Sequence, residues 1–389
     1  MLTRRDNAHA RYSAMLTSWL LLITILLSTA APANPLPLPP KLKAGSYLLL
    51  APQSGQILIS HNPDQRLPPA SLTKIMTAYL VFQSIQQGSL KPDDLVHVSK
   101  KAWRTPGSRM FIEVNSQVSV QDLLRGLVVQ SGNDAAVALA EHIAGDEANF
   151  ARMMNNQAQQ LGLQNTHFMN ATGLPDDNHY STARDLARIT DATIQHYPEQ
   201  YALYAEKTYT YNNISQRNRN TLLWRDASVD GVKTGHTQAA GYCLIAAAER
   251  DGMRLISVIL DADSKAQRLK ESQALLNHGY RFYRTHQVYT AEQTVHQSRA
   301  WYGTTEQIPV GPAHTVSVTI PRGQYDQLQS QITMGAPLHA PIQKGQFLGT
   351  LTLTLAEQTL KTIPLIALQD LPAGNLWRQA IDRTLQLLE

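Results

Sequence analysis

The segment PPASLTKIMTAYL, Pro68 to Leu80, decides how the rest of the chain is read. Pro68 and Pro69 end whatever precedes them. Apolar residues then recur at helical spacing, at Leu72, Ile75, Met76, Tyr79 and Leu80, which predicts a long helix beginning at Ser71. Almost every position on it reads as buried, yet Lys74 stands three residues after Ser71. On a helix those two side chains share a face. A serine hydroxyl is a weak nucleophile near neutral pH and needs a base beside it. A lysine amine can be that base if apolar neighbours, here Leu72, Ile75 and Met76, push its pKa down. The helix start also offers free backbone N–H groups to developing negative charge. The plainer reading is a snorkelling surface lysine beside an N-cap serine, and S-x-x-K alone does not separate the two.

Two other stretches do. QSGNDAA (Gln130–Ala136) places Ser131, Gly132 and Asn133 directly after an apolar helical run. They are either a polar helix break with Gly132 as the turn residue, or a proton relay at Ser131 with the Asn133 amide orienting a substrate peptide group. VDGVKTGHT (Val229–Thr237) places Lys233, Thr234 and Gly235 on a predicted strand. They are either a solvent-facing pair beside a bulge glycine, or a carboxylate-binding pair beside a glycine that lets a substrate backbone approach. S-x-x-K, S-D-N and K-T-G form the motif set of penicillin-binding proteins and β-lactamases. All three occur here in that order, with S-G-N as the middle element.

The bulk composition is consistent with an exported enzyme. The chain has 389 residues, 43% of them hydrophobic, enough for two domains. Arg4, Arg5 and Arg11 against Asp6 precede the short apolar run Met15–Leu27, and Ala31 and Ala33 follow it. Residues 1–33 therefore read as a secretory signal peptide, which makes the mature protein exported and periplasmic. That segment carries +2 of the formal +4, so the mature chain is nearly neutral and gives no basis for a nucleic-acid partner. The single cysteine, Cys243, rules out an internal disulfide and reads as a small buried hydrophobe. The thirteen histidines show no ligand spacing, so neither a metal nor another cofactor is expected.

After the Pro-rich linker Asn34–Gly45, residues 34–283 begin and end in strand-like runs with a helical block between them. A hairpin is predicted around Gln53-Ser54-Gly55, and a turn at Arg250-Asp251-Gly252. Ser119 and Asp122 form a capping-box pattern, and Ser181 or Thr182 caps a further helix. The fold class is therefore α+β, an antiparallel sheet made from both chain ends and flanked by helices. Residues 284–370 lose helical periodicity and alternate in short runs, which predicts a small all-β domain. Residues 371–389 turn helical again.

The chain resembles the low-molecular-mass penicillin-binding proteins that are serine-type D-alanyl-D-alanine carboxypeptidases. The likeness covers PPASLTKIMTAYLV, LVVQSGNDAAVALAEHIAG, HYSTARDLA, NRNTLLW, VDGVKTGHT, GMRLISVIL and the downstream VTIPRGQ. It implies a transpeptidase-type catalytic domain in which Ser71 attacks the carbonyl between the two terminal D-alanines of a peptidoglycan stem peptide. Lys74 would take the serine proton, and Ser131 with Lys233 would deliver a proton to the departing D-alanine. The backbone N–H groups of Ser71 and His236 would form the oxyanion hole. Lys233, Thr234, Arg219 and Arg268 are the candidates for the substrate carboxylate, the two arginines being equally readable as structural ion pairs. β-Lactams would acylate the same Ser71.

Rival readings are a class A β-lactamase, a D,D-endopeptidase and a non-catalytic penicillin-binding sensor. Between Ser131 and Lys233 none of Glu141, Glu147, Glu199 and Glu206 begins the E-x-x-L-N signature of the first. Such endopeptidases usually lack the β-domain, and intact Ser71, Lys74 and Lys233 argue against lost chemistry. The family commonly ends in a long aromatic amphipathic helix on the membrane. Here the tail is short: Leu376, Trp377, Ala380, Ile381, Leu385 and Leu388 fall on one face, after a breaker and hinge at Leu371–Gly374. Peripheral attachment to the inner membrane is the expectation, the alternative being that this face packs on the folded body.

Overall fold

A computed structural model describes residues 37–386. The predicted signal peptide and Leu388 lie outside the described residues. Five strands form one antiparallel sheet: β1 (Ser46–Ala51), β2 (Gln56–His61), β3 (Val229–Thr237), β4 (Gly241–Arg250) and β5 (Met253–Ala262). Their order is β2-β1-β5-β4-β3, so the first strands pair with the last and both ends of the catalytic region share one sheet. The two expected turns join β1 to β2 and β4 to β5.

Strand alternation sorts the core into two layers. Leu48, Cys243, Ile245, Ile256 and Val258 face the helical block, whereas Leu49, Leu244, Ala246, Leu255 and Ile259 face a single helix on the other side. Helices cover both faces, which is why these strands read as nearly continuous apolar runs. Helix α1 (Lys74–Gln86) lies at the centre of the helical block, and every residue from Lys74 to Phe82 is buried. A helix that is apolar all round belongs in such a position. Helix α2 (Asn133–Ala144), the helix Glu147–Gln160, helix α3 (Ala183–His196) and the turns between them complete that layer. Ser119 and Thr182 cap their helices as expected. Helix α4 (Lys265–Phe282) covers the opposite face.

The helix does not begin at Ser71. Residues Ala70–Thr73 form a tight 3-10 turn, and α1 starts at Lys74. Ala70 is in the left-handed region (φ 47°), so the chain turns sharply just before the nucleophile candidate.

From Tyr283 the chain becomes all-β: β6 (Tyr283–Tyr289), β7 (His296–Trp301), β8 (Gln307–Pro312), β9 (Val316–Pro321), β10 (Leu328–Met334), β11 (Phe347–Leu355) and β12 (Gln358–Ala367). Strands β6 and β9 pair, and β10-β11-β12-β8-β7 form a sheet edged by Leu338–His339. This domain is tied to the β1–β2 turn, where Thr319 Oγ1 lies 2.7 Å from Ser54 Oγ and Lys361 Nζ donates to the Ser54 carbonyl. The segment Leu371–Gly374 is no hinge. Leu371 bridges to Ile342 and Ala373 to Gly303, and Gly374 N donates to the Tyr302 carbonyl at 2.7 Å. The final helix, α5 (Leu376–Gln386), is therefore held at a fixed start.

Candidate active site

A cleft of about 730 Å³ opens between the Ala70–Thr73 turn, the loop before α2 and strand β3. Ser71, Ser131, Asn133, Arg219, Thr234, Gly235, His236 and Arg268 all line it, so three motifs far apart in sequence meet in one place. Lys74 and Lys233 stand behind this lining and are buried.

Lys74 Nζ lies 3.1 Å from Ser71 Oγ, 2.6 Å from Asn133 Oδ1 and 2.6 Å from the Thr172 carbonyl. A neutral amine has two N–H bonds and one lone pair. Asn133 and Thr172 offer two acceptors for the N–H bonds, which leaves the lone pair for the Ser71 hydroxyl proton. Burial pushes the Lys74 pKa down to about 7, and the positive charge of Arg219 pushes the same way. Asp134 and Glu147 act in the opposite sense. Lys233 is likewise held well below its ordinary value, by burial first and then by Lys74, Arg219 and Arg268. Its Nζ donates to the Thr234 carbonyl at 2.9 Å.

Ser131 is the residue in the left-handed conformation (φ 67°), whereas Gly132 is not. The expectation of Gly132 as the turn residue is corrected in that respect. A wide π turn over Gly126–Gln130 delivers Ser131 to the cleft, and its buried hydroxyl has no hydrogen-bond partner among the described residues. Such a group is rare in a folded chain and is available to a ligand. Asn133 is fixed by donating from Nδ2 to the Pro106 carbonyl at 2.5 Å.

Gly235 lines the cleft and also makes room within the protein. A Cβ on it would stand 3.1 Å from the Pro69 carbonyl oxygen and 3.3 Å from Ser71 N. Its missing side chain lets strand β3 pass against the Ser71 turn, so the close approach is within the protein. Lys233 and Thr234 are buried on a regular ladder opposite Ile245 and Leu244, not a solvent-facing pair. Arg268 Nη1 donates to the Gly235 and Cys243 carbonyls, at 2.9 and 3.2 Å. Neither Arg219 nor Arg268 is in an ion pair among the described residues, so the structural ion-pair alternative has no support in the geometry. His236 is exposed and packs on Tyr242, ring centroids 4.0 Å apart.

Sequence reasoning missed the loop that supplies the Thr172 carbonyl. Asn170 Oδ1 accepts from Thr172 N and Gly173 N and so fixes that loop. Its turn-rich NATGLP (Asn170–Pro175) is the one signal that pointed there. Asp134 was also missed. Its buried carboxylate accepts from Met110 N and Phe111 N, both at 3.0 Å, and holds the opposite rim of the cleft.

With this geometry established, comparison with known proteins becomes informative. Residues 32–264 match the sequence profile of the D-alanyl-D-alanine carboxypeptidase family, peptidase family S11. The chain belongs to this family. Residues 283–373 match the C-terminal domain of penicillin-binding protein 5. Over 351 residues the chain is 42% identical to D-alanyl-D-alanine carboxypeptidase DacC of Escherichia coli K12, covering 88% of each chain. It is 41% identical to DacA of the same strain, covering 88% of this chain and 87% of that one. The crystal structure of penicillin-binding protein 5 from Haemophilus influenzae superposes with a TM-score of 0.84 at 41% identity, over 86% of this chain and 99% of that one.

Gly173 gives the site a sharp test. It has φ +82°, and a Cβ there would stand 1.8 Å from the Ala70 carbonyl oxygen, so any side chain displaces the nucleophile turn. Gly173→Ala is expected to slow acylation by penicillin about 100-fold or more, the scale of a 1 Å misplacement. The circular dichroism spectrum should show a folded protein. Stopped-flow acylation within a few-fold of the parent would contradict it.

Proposed function

We propose that the protein is a serine-type D-alanyl-D-alanine carboxypeptidase that removes the terminal D-alanine of peptidoglycan stem peptides and that β-lactams acylate. The observation that carries this reading is the 3.1 Å contact of Ser71 Oγ with a buried lysine amine whose two other directions face acceptors. In the proposed reaction Lys74 accepts the Ser71 proton as Oγ bonds to the carbonyl carbon between the two D-alanines. The oxyanion is held by the N–H groups of Ser71 and His236. The C–N bond then breaks, and the amine of D-alanine leaves with the proton that Lys74 had taken, passed on through Ser131 and Lys233. Water hydrolyses the ester and returns the Ser71 hydroxyl. Thr234, Lys233, Arg219 and Arg268 receive the terminal carboxylate, and the Asn133 amide orients the peptide. The match to the penicillin-binding protein 5 C-terminal domain favours carboxypeptidase over endopeptidase action.

The purified mature protein should release D-alanine from a synthetic pentapeptide faster than it cuts crosslinked dimers. Mass spectrometry should place a penicillin adduct on Ser71, and Ser71→Ala should remove both signals. An adduct on Ser131, or dimer cleavage that outpaces D-alanine release, would overturn the assignment.

We further propose an exported, periplasmic enzyme lying against the inner membrane. Among the described residues no helix is long and apolar enough to cross a membrane; the proposed attachment is peripheral. Helix α5 supports this, because its polar face is the one packed on the β-domain. Asp382 is buried, accepts from Tyr302 N at 2.7 Å and pairs with Arg378, which also reaches Glu306 at 2.9 Å. The opposite face leaves Leu376 83%, Trp377 81%, Ile381 52% and Leu385 42% exposed. Packing of this apolar face on the protein body, the alternative drawn from sequence, has no support in that arrangement. An exposed aliphatic and aromatic stripe suits the interface of a bilayer. The mature protein is expected to co-sediment with anionic vesicles at low salt. Trp377→Ser with Ile381→Ser should release it while its rate on soluble peptide is retained. Failure of the parent protein to co-sediment would contradict the attachment.

A further inference from the structure

The sequence QRNRN (Gln216–Asn220) presents two arginines to the active-site cleft, and the proposed reaction uses only one of them. Burial alternates along it, with Asn218 and Asn220 turned inward and Arg217 and Arg219 outward. The inward residues fix the segment. Asn218 Nδ2 donates to the Glu206 carbonyl at 2.9 Å, and Asn220 Nδ2 donates to the Gly231 carbonyl of β3 at 2.8 Å. Both arginines line the cleft, and neither is in an ion pair among the described residues. Arg217 is further steadied by Trp224, its guanidinium 4.9 Å from the ring centroid.

Two further facts bear on what Arg217 is for. Among the described residues no carboxylate lines the cleft, although Arg217, Arg219, Arg268 and Lys265 all do, so the wall carries more positive charge than one terminal carboxylate needs. At about 730 Å³ the cleft is also of a size that takes a whole drug-sized ligand, not a D-Ala-D-Ala end alone.

We propose that Arg217 is a specificity-determining residue that binds a second carboxylate, carried in the acyl half of the peptide substrate upstream of the scissile bond. This rests on the carboxypeptidase reading above. The guanidinium fork takes the carboxylate as a charge-assisted pair, with Trp224 holding it in place.

The test uses the mature protein and two matched pentapeptides ending in D-Ala-D-Ala. One bears a free carboxylate in its acyl half, and the other bears the corresponding primary amide. The ratio of kcat/KM for acid over amide should be about tenfold or more, the size expected for hydrogen bonds to a charged group. Arg217→Gln should bring that ratio close to one, mainly through KM, and Arg217→Lys should give an intermediate ratio. Raising the salt concentration should narrow the parent's preference. A parent ratio near one, or a preference that survives in Arg217→Gln, overturns the proposal. Penicillin labelling of Ser71 follows the acyl-enzyme step separately. If D-alanine is released from neither peptide, the carboxypeptidase reading has failed. If it is released from both without preference, only the second carboxylate site has failed.

Discussion

The structure around the cleft depends on one buried amine. Lys74 sits in the buried first turns of its helix, where an ammonium would lose its water and face the positive charge of Arg219. The fold supplies two acceptors, the Asn133 amide oxygen and the Thr172 carbonyl, and these match the two N–H bonds of the neutral form. Three segments are thereby fixed against one another: helix α1, the start of α2 and the Asn170–Pro175 loop. An arginine could not replace this lysine, because its guanidinium stays charged and has no lone pair to offer.

Close backbone approach is the second constraint. The nucleophile turn lies between Gly173 on one side and Gly235 on the other, and each stands where a Cβ would press on the turn's backbone. Thr73 is anchored as well, its Oγ1 2.9 Å from Nε2 of the buried His179. Rigid placement of the hydroxyl and amine is what turns a weak nucleophile into a positioned one. The opposite rim depends in the same way on Asp134, whose carboxylate satisfies backbone N–H groups that no helix or strand could reach.

Much of this was legible in sequence wherever side chains carry the information. Ser71 and Lys74 share a face by spacing, and the strand-like runs at the start and end of the catalytic region announced a sheet built from both chain ends. Thr172 was not legible, because it contributes a backbone carbonyl and a carbonyl has no residue signature. The left-handed Ala70 was hidden because alanine rarely adopts that conformation. For α5 the apolar stripe was visible, but which face would pack was not. That was decided by long-range contacts, Asp382 with the backbone N–H of Tyr302 and Arg378 with Glu306. Arg217 escaped notice since its role depends on where the flanking asparagines are tied.

The central claim is that Lys74 is neutral for a large share of the time near pH 7. Nitrogen NMR of the intact mature protein, with lysine side chains labelled and the signal assigned through a Lys74 substitution, reads this directly. The account predicts a midpoint near 7, against the ordinary 10.5. The amine would be charged below that midpoint and neutral above it, so penicillin acylation should rise as pH increases through the same range. A midpoint near the ordinary value, with acylation already constant across pH 6 to 8, would contradict the account.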